Sequence, residues 1–121
     1  MALTTKLKLI IVVLLLVLQA QTCKKDDPIE EVPTCILDKI EQMKKDNVAN
    51  PPASVWQYEY NGKIVYYVPA KCCDIPSVLY DGNCNVICSP DGGFTGAGDG
   101  KCADFFKKRT NEKLIWKDPR K

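Results

Sequence analysis

Histidine is absent from the 121 residues of this chain. Its absence removes Ser-His and Cys-His nucleophile pairs and every imidazole metal ligand. A zinc site would have to use cysteines alone, and Cys72, Cys73, Cys84 and Cys88 lack the paired C-x-x-C spacing of a zinc ribbon. Long hydrophobic runs are missing too. The longest, Leu9 to Leu18, has ten residues, and ten helical residues rise only ~15 Å, about half a bilayer core. Net charge is slight at +2, and removing residues 1–23 leaves 15 basic and 15 acidic residues, which excludes a bulk nucleic-acid binder. The glycine-rich segment carries no phosphate motif. A P-loop ending at Gly100-Lys101 would need glycine at Thr95 and Ser or Thr at Cys102, and a dinucleotide pattern from Gly96 would need glycine at Lys101. EF-hand spacing is absent as well, so the loop reads as a structural turn, with calcium held by Asp91, Asp99 and the loop carbonyls as the alternative. For catalysis only carboxylates remain, and Asp74, Asp81, Asp91, Asp99 and Asp104 read as turn or cap residues. The sequence therefore predicts no catalytic residue, no metal ligand and no cofactor.

The start of the chain has a clear pattern. Lys6 and Lys8 precede the apolar run, as in a cleavable export signal. Export implies an oxidising compartment, where cysteines form bridges. There are seven: Cys23, Cys35, Cys72, Cys73, Cys84, Cys88 and Cys102. Seven is odd, and Cys23 stands where a bacterial lipoprotein carries its lipidated thiol. The reading is thus a signal peptide over 1–22, a lipidated tether over 23–33 and a folded domain over 34–121. The approach to Cys23 is an imperfect lipobox, so cleavage after Ala20 with release of a soluble protein is the alternative. Lys24-Lys25-Asp26-Asp27 resembles the surface-export signal of Bacteroidota lipoproteins, which implies an outer-membrane lipoprotein facing outward. Lys107 to Lys121 carries seven basic residues against Glu112 and Asp118. That tail reads as a solvated face, or as a contact for anionic envelope glycans or lipid headgroups.

The folded part reads as a small disulfide-stabilised α+β domain, an N-terminal helix packed on a β-hairpin and followed by a cysteine- and glycine-rich loop region. Ile36, Leu37, Ile40 and Met43 make the apolar stripe of a helix opened by Pro33-Thr34 and ended by Asn47 and Pro51-Pro52. Asn61-Gly62 predicts a two-residue type I′ turn that sets Trp56 opposite Tyr67, Tyr58 opposite Val65 and Tyr60 opposite Lys63. One face then carries a row of aromatics (Trp56, Tyr58, Tyr60, Tyr67), which reads as core or as a carbohydrate platform. A second hairpin turns on Asp81-Gly82-Asn83, with Cys84 and Cys88 on one face of a strand. Ser89 to Gly100 predicts a turn-rich loop, Lys101 to Arg109 a short helix with Ala103, Phe105 and Phe106 inward, and Leu114-Ile115-Trp116 a last strand. Six cysteines predict three bridges, Cys35 with Cys72 or Cys73 and the remaining vicinal thiol with Cys88 or Cys102.

The stretch YYVPAKCCDIPSVLYDGNCNVICSPDGGFTGAGDGKCADF resembles an uncharacterised cysteine- and glycine-rich domain of Bacteroidota cell-envelope lipoproteins. The resemblance covers roughly Cys35 to Phe105 and implies an envelope location without implying an activity. That pattern has glycine where this chain has Cys84, which leaves a free thiol there as an alternative to a bridge. The functional expectation is a non-enzymatic envelope lipoprotein domain with a binding or structural role, anchored to the membrane through Cys23 and meeting an envelope protein or glycan. The alternative is a disulfide-rich inhibitor or glycan-binding module. It would use the 89–100 loop, where Asp91, Gly93, Phe94 and Asp99 are the candidate binding residues.

Overall fold

Aromatic and β-branched residues crowd Ser54–Val68, and the chain there forms the predicted hairpin. In the computed structural model, which describes Lys6, Ile10, residues 31–72 and residues 74–121, β1 is Ser54–Tyr60 and β2 is Lys63–Val68. Their register is the predicted one, Trp56 to Tyr67, Tyr58 to Val65 and Tyr60 to Lys63. The turn residues have φ of 51° at Asn61 and 73° at Gly62, the left-handed values a type I′ turn demands. The chain divides into two units, Met1–Glu31 and Val32–Lys121, and only the second is described at length. The signal run apart from Ile10, Cys23, most of the tether and Cys73 lie outside the described residues. Among those that are described, no helix is long and apolar enough to cross a membrane.

Three more strands complete an antiparallel sheet: β3 (Val78–Tyr80), β4 (Val86–Cys88) and β5 (Thr110–Lys117), in the order β4-β3-β2-β1-β5. β5 begins four residues before the predicted Leu114. The central strands β1 and β2 are covered on both faces, so neighbouring residues along each strand are buried whichever side they point to. Helix α1 (Thr34–Lys45) covers one face with Ile36, Ile40 and Met43, packed on Val55 and Tyr66. Leu37, predicted in the stripe, is 45% exposed. It sits one position, about 100°, round from Ile36, while Ile36, Ile40 and Met43 alone keep the i, i+4, i+7 line. The helix also stops at Lys45, earlier than Asn47 or the prolines. Its free carbonyls explain how: Arg120 donates through Nη1 to Asp46 O (3.1 Å) and through Nη2 to Met43 O (3.2 Å). Asp118, buried at the end of β5, grips the same guanidinium at 2.9 Å and 2.7 Å. A basic residue of the tail is thus a helix cap.

The other face is covered by residues 89–109. Phe105 is wholly buried there, against Tyr58, Tyr60, Val65, Tyr67 and Leu79. The predicted helix over Lys101–Arg109 shrinks to a single turn, α2 (Phe105–Lys108), with Ala103 exposed and Phe106 40% exposed. A turn so short has room for one inward side chain, and Phe105 takes it.

Both described bridges differ from the predicted pairing. Cys35 joins Cys84 and Cys88 joins Cys102, while Cys72 is also disulfide-bonded. Cys84 is therefore not a free thiol. The reason lies in β4, where Leu79 faces Cys88 but Tyr80 faces Val86. Two residues of β4 stand against one of β3, a bulge that reverses the side-chain alternation. Cys84 and Cys88, predicted on one face, point to opposite faces, Cys84 toward α1 and Cys88 toward Phe105. Cys84 lies in the turn before the strand at φ 61°, a conformation that suits glycine.

Candidate functional site

The glycine loop is fixed by its own backbone. Gly92 N–H donates to Gly96 O (3.1 Å), Gly96 N–H to Gly93 O (3.1 Å), Gly98 N–H to Gly92 O (3.0 Å) and Asp99 N–H to Ser89 O (3.0 Å). Gly98 has φ 68°, and a Cβ there would overlap the Ser89 carbonyl oxygen, so only glycine fits the crossing. Of the predicted binding residues, Asp91 anchors the loop to the sheet. Its Oδ1 accepts from the Tyr67 hydroxyl (2.8 Å), and its backbone N–H and carbonyl both bond the Ser77 hydroxyl (3.1 and 3.0 Å). Asp99 accepts from Lys101 N–H (3.0 Å) in a turn of its own, which holds its carboxyl below the usual carboxylate range. Gly93 opens a tight turn at φ 73°. Phe94 stands at the tip of that turn, 91% exposed.

The aromatic row is closed. Phe105 meets the rings of Tyr58 and Tyr60 edge-on at 5.6 and 5.3 Å and that of Tyr67 at 5.5 Å. Every tyrosine hydroxyl of the row then donates to a carboxylate, Tyr67 to Asp91 and Tyr60 to Asp104 (2.6 Å) of the covering segment and Tyr58 to Glu112 (2.9 Å) of the edge strand β5. Arg109 completes the lid. Its guanidinium lies 4.6 Å from the Tyr58 ring centroid and 4.8 Å from that of Phe106, and Nη1 donates to the Tyr58 oxygen at 3.0 Å. The sequence placed the tyrosines on one face but missed these partners. The row is core and offers no open platform for a sugar.

Burial and the Glu112 carboxylate push the Tyr58 phenol up to about 12. Burial followed by Asp91 raises Tyr67, and Asp104 followed by burial raises Tyr60. Phenols held protonated by the fold contribute stability that is complete below the ordinary value of 10.0 and disappears as pH climbs through about 12. The domain should therefore unfold in alkali with phenolate formation and loss of sheet circular dichroism in step. A Tyr58→Phe/Tyr67→Phe variant should lose stability less steeply over that window. Equal slopes for variant and parent would show that these phenols do not carry the transition.

Four of the five candidate carboxylates, those of Asp81, Asp91, Asp99 and Asp104, are engaged in hydrogen bonds that hold the local structure, while Asp74 is exposed. Asp81 accepts from Asn83 N–H and Asn85 N–H, both at 2.9 Å, and closes the second hairpin. Asp104 is held below the ordinary range by Lys108 first and by Tyr60. Among the described residues, no three His, Cys, Asp or Glu side chains gather to hold a metal ion. Residues 41–118 match the family described as a domain of unknown function, DUF6970. The chain belongs to the DUF6970 family. No curated protein and no solved structure matches it. The DUF6970 segment contains all five strands, the glycine loop and the Phe105 lid, but it begins inside α1. Cys35 lies before it, so the Cys35–Cys84 bridge ties the family segment to residues outside it.

Proposed function

We propose that the protein is an exported, non-enzymatic cell-envelope lipoprotein domain, anchored through Cys23 and facing outward, that holds a protein partner with its 89–100 loop. The observation carrying this reading is Phe94, an aromatic ring 91% exposed on a loop whose backbone is already rigid. A pre-ordered loop loses little entropy on binding, and a protruding aromatic is a typical interface anchor. The anchor rests on the sequence. A short apolar run leads to Cys23, and all five described cysteines are bridged, so none of them is the odd thiol among seven. The resemblance to Bacteroidota envelope lipoproteins supports the same location. A glycan module has less support, because the aromatic row is buried under Phe105.

Two variants test the proposal. Cys23→Ser should move the protein from the membrane fraction to the soluble one, and unchanged fractionation would end the lipoprotein reading. Phe94→Ser should leave thermal unfolding unchanged while abolishing one specific cross-linked partner in intact envelopes. An identical set of cross-links would remove the loop from the binding role, and retention on purified envelope polysaccharide would favour the glycan module instead.

A further inference from the structure

The opposite face of the sheet carries a recess of about 230 Å³ between α1 and the ends of β2 and β3. Its floor is apolar: Met43 from α1, Val68 at the end of β2 and Tyr80 at the end of β3. Lys39 and Gln42 line it from the helix, and Lys71 lines it from the segment after β2. Lys39 Nζ rests 4.5 Å from the centroid of the Tyr80 ring. Lys71 Nζ pairs with Asp46 Oδ2 at 2.7 Å. Each ammonium carries three N–H donors, so both keep donors for another acceptor.

We infer that this recess binds a small organic carboxylate whose apolar body is about the size of one aromatic ring. The floor selects an apolar body, since Met43, Val68 and Tyr80 present carbon to it and Met43 is nearly fully buried. The volume limits that body: a dry cavity of roughly 150 Å³ accommodates benzene, so this space holds one ring and a head group. The sign of the head group follows from the lining, where two lysines face a single neighbouring carboxylate, Asp46. A carboxylate accepts from both ammoniums in charge-assisted bonds. Lys39 stays over the Tyr80 ring while doing so, because a cation over a ring face uses none of its N–H directions exclusively. Gln42 adds an amide at the rim. None of the recess lining comes from the loop of Phe94, which is joined through Asp91 to Tyr67 on the Phe105 side of the sheet.

The test is fluorine NMR on the full-length, disulfide-intact protein with 4-fluorobenzoate as probe and neutral 4-fluorobenzamide as control. Saturable line broadening of the acid, at least roughly ten-fold stronger than that of the amide, is the expected result. Lys39→Gln and Lys71→Gln should each weaken binding by about ten-fold with unfolding midpoints close to the parent's, since both side chains are at the surface. Phe94→Ser should leave probe binding unchanged. No saturable broadening of the acid, equal binding of the amide, or indifference to both lysine variants would each overturn the assignment.

Discussion

Cys35→Ser is expected to lower the unfolding free energy by about 4 kcal/mol, because the Cys35–Cys84 bridge closes a loop of 49 residues' separation in the unfolded chain. Cys88→Ser should cost less, about 3 kcal/mol, for a separation of 14. Small domains are stable by only ~5–15 kcal/mol, so the first loss leaves a marginal protein. Urea unfolding under non-reducing conditions measures both, and the order of the two midpoints is the decisive feature. The backbone at Cys84 supplies an internal check. At φ 61° an L side chain is strained by ~1–2 kcal/mol and glycine is not. Cys35→Ser/Cys84→Gly should therefore be more stable than Cys35→Ser/Cys84→Ser by about 1 kcal/mol. If the serine variant were the more stable, the turn geometry at residue 84 would be wrong.

Phe105→Ala should cost about 3–5 kcal/mol, the range for deleting a buried phenylalanine. The ring is fully buried and touches three tyrosines within 5.6 Å. The surrounding tyrosines cannot move in to fill the space, because Tyr58, Tyr60 and Tyr67 are held through their hydroxyls by Glu112, Asp104 and Asp91. Those bonds fix the walls of the cavity, so relaxation is small and the cost lies toward the upper end. Phe106→Ala, on a ring 40% exposed, should cost distinctly less. Chemical denaturation of the pair decides the point. Comparable losses for both would mean that the lid is held by its periphery rather than by Phe105.

Much of the hairpin was legible because its information is local. Asn61-Gly62 tolerates the two positive φ angles its turn requires, and once the turn is set every cross-strand pair from Trp56–Tyr67 to Tyr60–Lys63 follows. The stripe of α1 was legible for the same reason, apart from Leu37, where a single extra apolar residue widened the pattern beyond the buried line. The candidate loop was legible as a turn-rich segment with Phe94 in it. Its carboxylates were not legible as anchors, since the Tyr67 hydroxyl that engages Asp91 is 24 residues away.

What the sequence determined alone is the set of local conformations: a helix, two hairpins and a turn-rich loop. Each depends on residues a few positions apart, where steric and capping preferences act directly. Disulfide partners, the closing of the tyrosine row and the use of Arg120 as a cap were decided by the tertiary structure. One extra residue in β4 sends Cys84 to the helix side and Cys88 to the lid side, and no spacing rule contains that step. Side-chain alternation propagates along a strand only until a bulge interrupts it, and this bulge forms where β3 and β4 pair within the assembled sheet.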